Sequence, residues 1–403
     1  MTTTAQGRTA MLAAFAALGV AGAASARVDL EWRPRLSVLG GYDDNVQLNG
    51  SGADEFGRFQ PGLRLDVFGE HALHLGLDCQ ASFAHLAHPE RFNQGSSSFA
   101  AGSECGIGFR DRLSPQSNLH VQGVASYSQD PFAISGLGLL LRPGQTSVTH
   151  VRLTTDYDYD VSQRGQLQLG LRTELLDFGA NDPGNGTILA PFARYAYRTT
   201  PYGTWDIGLR EQLFTAFGSS PNALAPKGSP GGLLSESHAA LLGYTRRLAA
   251  RTSVVVRGGP MLLTGQTAAG SVLPVARVEL EMLGEFSGAH LAASHDLLIG
   301  ASRAGPTVAD LLEGSLFGEL GHPGELAHFT GHTRAGIYRN GDVRTPYAGG
   351  SLGYDLEADV AWNFTREWSF GLAALRDAAL GNQGNVQIDR DVVQLRLTWE
   401  LPR

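Results

Sequence analysis

Polar and apolar residues alternate along most of this chain, and the alternation is clearest at its C-terminal end. Within residues 391–401 one face carries Val393, Leu395, Leu397, Trp399 and Leu401, and the other carries Gln394, Arg396, Thr398 and Glu400. A period of two with one apolar face predicts a β-strand that contacts an apolar medium on one side only.

The same alternation returns in about eighteen segments between residue 33 and the C-terminus. The segments are separated by connections rich in Gly, Pro, Asn, Asp and Ser, which favour turns. Short and long connections alternate along the chain. Sixteen strands is the nearest alternative count.

The predicted strands run for about 12–16 residues, whereas strands of soluble sheets usually have about five or six. Aromatic residues recur near the short connections: Tyr157, Tyr159, Tyr195, Tyr197, Trp205, Trp362, Phe364, Trp368 and Trp399. Long strands, alternating connection lengths and an aromatic girdle are typical of barrels in the outer membrane. The fold class is therefore predicted to be all-β, a transmembrane antiparallel up-and-down β-barrel. A soluble sandwich is the alternative, and the lack of a repeat of fixed period disfavours a propeller.

The first 26 residues have the features of a secretory signal peptide. Arg8 precedes an apolar run from Met11 to Gly22, and Ala24-Ser25-Ala26 fits a cleavage site. We therefore predict a signal peptide over 1–26 and one barrel domain over 27–403, located in the outer membrane.

Composition excludes several functions. The net charge of −8 argues against a nucleic-acid partner, which favours a basic surface. No His-Glu-x-x-His or P-loop motif occurs, and the chain is predicted not to be an enzyme and to need no cofactor or metal.

Charged residues on the predicted inner face separate by sign. A basic arc comprises Arg172, Arg194, Arg210, Arg257 and Arg277. Acidic residues comprise Glu313, Glu319, Asp355, Glu357 and Asp359, with Asp156, Asp158 and Asp160 on an earlier strand. Two opposed arcs would create a transverse field across a pore, which would order water and solute there. The alternative is that these side chains form ion pairs that fill the barrel.

Two smaller patterns allow a metal, but a hydrated lumen explains both better. His328 and His332 share the inner face of one strand. Asp156, Asp158 and Asp160 have the spacing of a calcium loop, without the glycine and glutamate that such a loop requires. Alternation with Tyr157 and Tyr159 favours lumen-facing carboxylates.

The two cysteines lie at equal distances from Phe92 along the chain. If a hairpin is centred there, Cys79 and Cys105 are directly opposed on its apolar face, within disulfide range. The periplasm allows oxidation. Unlinked thiols remain the alternative, because a bulge would shift the register.

The first predicted strand ends in Gly41-Tyr42-Asp43-Asp44-Asn45-Val46. This stretch resembles the end of strand one in the EpsL-like and Wzp-type outer-membrane barrels linked to exopolysaccharide export. The Val-x-Leu-x-Leu-x-Trp strand near the C-terminus is similar too, although Leu401-Pro402-Arg403 follows where such strands usually end in an aromatic residue. The resemblance implies export of a polysaccharide, with outer-membrane lipid, the polymer and periplasmic polysaccharide-export proteins as partners.

Other functions remain open. A general diffusion porin would differ mainly in pore width and oligomeric state. An outer-membrane lipid-modifying enzyme would need Ser, His and acidic side chains at one height, which the pattern does not supply. A structural barrel with a blocked lumen is the remaining alternative.

Overall fold

In the computed structural model the chain forms one sheet of eighteen antiparallel strands that closes into a barrel. The structure describes residues 29–44, 53–69, 72–88, 99–128, 148–177, 186–216, 233–265, 270–298, 307–321, 328–342, 351–381 and 388–401. The predicted signal peptide and most of the long connections lie outside these residues. The prediction of an all-β barrel is confirmed, with eighteen strands rather than sixteen.

The strands occupy the following positions. The first nine are β1 (Asp29–Asp43), β2 (Asp54–Phe68), β3 (His74–Leu86), β4 (Phe99–Ser114), β5 (Ser117–Ser128), β6 (Val148–Asp160), β7 (Gly165–Asp177), β8 (Gly186–Thr200) and β9 (Gly203–Ala216). The other nine are β10 (Leu233–Ala249), β11 (Thr252–Gly265), β12 (Ser271–Leu283), β13 (Ser287–Leu298), β14 (Thr307–Leu320), β15 (His328–Asp342), β16 (Ser351–Asn363), β17 (Trp368–Gly381) and β18 (Ile388–Glu400).

Each strand pairs with its neighbours in the chain, and β1 also pairs with β18. We call the β1–β18 pairing the seam; it runs from Arg35 opposite Glu400 to Asp43 opposite Val392. Because the backbone hydrogen bonds of both edge strands are made across the seam, the sheet has no open edge. A closed ladder is the only β-structure whose backbone can cross a lipid bilayer.

The outer surface is apolar. Along β18, Val393, Leu395 and Leu397 are all exposed, and the alternate residues face the lumen. Exposed Leu, Val, Ile and Phe side chains occur in the same outward positions around the barrel. Such a continuous apolar belt on a closed barrel is the lipid-facing surface of an outer-membrane protein. The described residues include no helix long and apolar enough to span a membrane.

Hydroxyl side chains organise two of the short turns. Ser162 Oγ accepts hydrogen bonds from the backbone N–H groups of Arg164 (3.3 Å) and Gly165 (2.9 Å). Thr365 Oγ1 accepts from Glu367 (3.2 Å) and Trp368 (3.0 Å) in the same way. These turns return the chain within four residues, so the predicted aromatic residues that flank them lie near one end of the barrel.

Inward aromatic rings lie over inward glycines of the adjacent strand. Phe56 covers Gly41, and Tyr338 covers Gly353: in each case the ring occupies the space that a Cβ on the glycine would need. Each pair is directly opposed in register. The rings therefore lie along the barrel wall instead of projecting into the lumen.

The hairpin of β3 and β4 has the register that the cysteine spacing predicts. Cys79 is directly opposite Cys105, their Cα atoms are 4.0 Å apart, and the two side chains form a disulfide. Both cysteines occupy outward positions, in line with Leu77 and Ile107. The bond therefore links the two strands on the lipid-facing surface.

We expect the purified, unfolded and unreduced protein to show no thiol that reacts with maleimide, and two such thiols after reduction. The disulfide should stabilise the hairpin by about 3 kcal/mol, because it limits the freedom of the unfolded chain between the cysteines. A Cys79→Ser, Cys105→Ser variant should therefore still form a barrel but unfold at lower denaturant concentration. Labelling before reduction would contradict the bond.

Candidate functional site in the barrel lumen

All five arginines of the predicted basic arc face the lumen. Their strands are β7 (Arg172), β8 (Arg194), β9 (Arg210), β11 (Arg257) and β12 (Arg277). Strand periodicity explains this placement, because each arginine has the opposite parity to the exposed apolar residues of its own strand. The arginines nevertheless differ in what they contact.

Four arginines of the arc bind carboxylates, and three of these, Arg210, Arg277 and Arg257, line one cavity. Arg210 donates two hydrogen bonds to Asp296, with Nη1–Oδ2 and Nη2–Oδ1 distances of 2.7 and 2.6 Å. This fork spans 86 residues of sequence, from β9 to β13. Arg277 contacts Glu279 two residues away on β12. Bidentate guanidinium–carboxylate pairs are strong and fix the geometry of both groups.

The third of these arginines, Arg257, reaches its partner across a glycine. Arg257 Nε donates to Asp206 Oδ1 at 3.1 Å, and the Asp206 side chain is almost fully buried. Gly243 lies between them in register, opposite Asp206 on β9 and opposite Arg257 on β11. The Asp206 carboxylate occupies the space that a Cβ at Gly243 would need. The pair therefore depends on the absence of a side chain at position 243.

Arg172 belongs to a separate cluster. It contacts Glu174, which also binds His150 with an Nε2–Oε1 distance of 2.7 Å. The Glu174 side chain is only 9% exposed, while that of Arg172 is 48% exposed. Glu174 thus has two partners, an arginine and a histidine, and the Arg172 charge is largely compensated.

Arg194 is the exception within the arc. It forms no hydrogen bond and no ion pair with any residue that the structure describes, and its buried Nε has no acceptor there. In register it lies between Gln168 of β7 and Gly208 of β9. The side chain borders a cavity of about 360 Å³ that Phe192, Leu241 and the three carboxylate-bound arginines also line.

The predicted acidic residues also face the lumen. Asp156, Asp158 and Asp160 follow one another on β6, Glu313 and Glu319 lie on β14, and Asp355, Glu357 and Asp359 lie on β16. Glu313 approaches Arg334 at 3.8 Å, and Asp359 approaches His332 at 3.4 Å. Some of these carboxylates thus contact basic side chains of β15.

The prediction that the basic and acidic arcs are opposed is wrong. The basic arc covers β7 to β12, and the acidic arc starts at β14, two strands further round the barrel. In an eighteen-stranded ring the strands opposite the middle of the basic arc are β18 and β1. Because most of the arginines also bind carboxylates of their own wall, ion pairing explains the arc better than a transverse field.

His328 and His332 lie on the inner face of β15, and each contacts a residue of β16. Asn363 Nδ2 is 3.1 Å from His328 Nε2, and His332 Nδ1 is 3.4 Å from Asp359 Oδ1. The described residues include no group of three His, Cys, Asp or Glu side chains arranged to hold a metal. Each histidine thus lies beside a polar residue of the neighbouring strand on the lumen wall.

A second cavity, of about 490 Å³, lies against β18 and β1 to β5. Neutral amides and hydroxyls contribute much of its lining: Gln60, Gln80, Gln394, Ser82 and Ser126. Arg35 binds both Asp78 (3.1 Å) and Gln80 (3.0 Å) at its edge. The two cavities thus differ in chemistry, since the first is rich in arginine and apolar side chains and the second in uncharged polar groups.

The stretch that resembles export barrels contributes to the seam. Asp43 is fully buried and accepts a hydrogen bond from Arg390 Nε at 2.7 Å, and Asp377 lies 3.9 Å from Arg390 Nη1. The Asp391 backbone N–H donates to Asp44 Oδ1 at 2.7 Å. Asp43 and Asp44 therefore hold β1 to β18, while Asn45 and Val46 lie outside the described residues.

Glu211 interrupts the apolar outward pattern of β9. The register places it opposite His238, and its Oε1 lies 3.5 Å from His238 Nδ1. His238 Nε2 also lies 3.7 Å from Glu236 Oε2. Charges on the lipid-facing side are costly near the bilayer midplane and cheaper toward its interface. The histidine between two glutamates reduces that cost.

Sequence reasoning did not identify Asp296 or Arg390 as functional partners. Both interact with residues far away in the chain, and the only local signal is a charged residue at an inward position. Which side chains meet across the lumen or the seam depends on how all the strands are paired in the closed barrel. The local alternation of polar and apolar residues carries no information on that pairing.

No protein-family model matches this sequence, and no curated protein is similar to it. The fold resembles solved barrels from Pseudomonas aeruginosa at low identity. OccK9 (OpdG) is 13% identical with a TM-score of 0.46, and the match covers 93% of this chain and 99% of that one. OpdQ is 13% identical with a TM-score of 0.45, covering 93% and 98%. The siderophore receptor PirA is 10% identical with a TM-score of 0.42, covering 92% and 80%. No conclusion about function follows from likeness at this level.

Proposed function

We propose that the protein is a channel through which small hydrophilic solutes diffuse across the outer membrane. The observation that carries this proposal is the charged and polar inner wall, which borders two cavities of about 360 and 490 Å³. Polar side chains that face a lumen are hydrated, and a barrel of this strand number is wide enough to enclose an aqueous path. The outward belt anchors the barrel in lipid and adds no chemistry of its own.

Conductance in planar bilayers tests this function. Purified protein should insert in steps and give a stable ohmic conductance in potassium chloride. Vesicles that contain it should swell in small sugars and amino acids. Protease resistance of the barrel in the same vesicles verifies that the protein has inserted. Insertion without conductance would instead indicate a structural barrel with a blocked lumen.

Export of a polysaccharide is the second candidate, and two observations favour it. The residues Tyr42 to Val46 resemble the strand end of export-linked barrels. The larger cavity offers amides and hydroxyls such as Gln60, Gln394 and Ser82, which suit a hydroxyl-rich solute. Under this function the partners are the polymer and periplasmic polysaccharide-export proteins.

Deletion of the gene separates the two functions. For a diffusion channel we expect slower uptake of small solutes and unchanged surface polysaccharide. For an export channel we expect less surface polysaccharide and unchanged small-solute uptake. Complementation with the wild-type gene is the control, and surface polymer and solute uptake are measured on the same cultures.

A further inference from the structure

We propose that Arg194 and the cavity beside it form a binding site for a small organic anion, with one carboxylate group and an apolar body. The site rests on the proposed function, because its ligand would enter through the lumen. The solute held at this wall of the channel would accordingly be a small organic anion.

The arginines around the cavity are unequally paired. Arg210 binds Asp296, Arg257 binds Asp206, and Arg277 binds Glu279. Arg194 has neither a hydrogen bond nor an ion pair with any described residue. A guanidinium whose buried Nε lacks an acceptor is costly unless an anion supplies one. Arg210 Nε also lacks an acceptor, but both Nη atoms of Arg210 bind Asp296. Among the described arginines that line this cavity, Arg194 is thus the one that binds no carboxylate.

The two aspartates that line the cavity beside Arg194 are bound to other arginines. Asp206 is the carboxylate that would otherwise compensate Arg194, but it reaches over Gly243 to Arg257. Asp296 is held by both Nη atoms of Arg210. A fixed pair offers little to a third charge. Asp158, two strands away in register, attracts Arg194 through its charge but forms no hydrogen bond or ion pair with it, so the N–H donors of Arg194 remain available to an anion.

The cavity beside Arg194 has the size and the lining of a small ligand site. In register Arg194 faces Gly208, which has no side chain to fill the space. Phe192, Leu241 and Val275 line the cavity together with Arg194. A volume of about 360 Å³ lies within the range of ligand sites, at its small end. The apolar lining therefore suits a ring or short chain attached to the carboxylate, and a neutral sugar would leave these side chains unmatched.

Binding to 4-fluorobenzoate, followed by fluorine NMR line broadening on purified protein in detergent, tests the site. The neutral analogue 4-fluorobenzamide is the ligand control. We expect wild type to bind the benzoate in preference to the benzamide. Arg194→Gln should weaken benzoate binding by about tenfold to a hundredfold, since one charge-assisted contact is lost. Arg194→Lys should retain part of it.

Arg172→Gln is the matched protein control. It removes the same charge from the same wall, but Arg172 is bound to Glu174 and does not line the cavity. It should bind benzoate as wild type does. Equal benzoate binding by wild type and Arg194→Gln, or equal loss in Arg172→Gln, would overturn the site. Heat-modifiable migration on gels verifies that each variant forms a barrel.

The experiments distinguish a wrong assignment of the anion site from a wrong assignment of the channel. Stepwise conductance without Arg194-dependent benzoate binding would leave the diffusion channel intact and remove the site. Arg194-dependent binding without conductance would retain the site in a barrel that does not conduct.

Discussion

Replacing Arg390 with alanine should lower the free energy of unfolding of the barrel by about 3–5 kcal/mol. Arg390 is almost fully buried, as are its partners Asp43 and Asp377. Without the guanidinium, two buried carboxylates would face each other with no cation between them. The lost ion pairs are those of the seam, where the first and last strands of the sheet meet and no hairpin connects them. Urea titration in detergent, followed by tryptophan fluorescence, measures the change.

Arg376→Ala is the matched control for Arg390→Ala. Arg376 lies on the adjacent strand β17 and pairs with Asp389 (3.0 Å) and Asp391 (2.6 Å), but its side chain is 40% exposed. Exposed pairs contribute little to stability, so Arg376→Ala should have a much smaller effect than Arg390→Ala. Removing all three charges together, in Arg390→Met, Asp43→Asn, Asp377→Asn, should recover much of the stability. Equal effects of Arg390→Ala and Arg376→Ala would show that burial does not set the strength of the seam.

Gly243→Val is expected to destabilise the barrel by about 3 kcal/mol or more, because it separates Asp206 from Arg257. A Cβ at position 243 would occupy the place of the Asp206 carboxylate, which is buried and cannot move to water without distorting the wall. The released Arg257 would be a second unpaired guanidinium beside Arg194. We therefore also expect the open channel to become more selective for anions, measured as reversal potential in a salt gradient.

The same substitution at Gly108 is the control. Gly108 lies on the inner face of β4, and a Cβ there would meet no atom within 4 Å. Gly108→Val should be neutral or should stabilise the strand by about 0.5–1 kcal/mol, since glycine is unfavourable within strands. If both valine variants unfold alike, the space at Gly243 is not what supports the Asp206–Arg257 pair.

The local pattern of the sequence determined the barrel itself. Alternation in β18 assigned Leu395 to lipid and Arg396 to the lumen, and the structure agrees. The spacing of Cys79 and Cys105 gave the β3–β4 register correctly. These features could be predicted because a strand has a period of two and a hairpin has a constant index sum, and both depend only on residues that are near each other in the chain.

Only the tertiary structure decided which charges meet. Arg194 and Arg210 appear equivalent in the sequence, yet the closed barrel gives Arg210 a partner on β13 and leaves Arg194 without one among the described residues. Asp43 and Arg390 are 347 residues apart and meet only because the seam closes. Side chains on one inner wall or across the lumen are brought together by the sum of all strand registers and by gaps such as Gly243. A period-two pattern assigns each residue to a face, but it carries no information on which residues of that face come into contact.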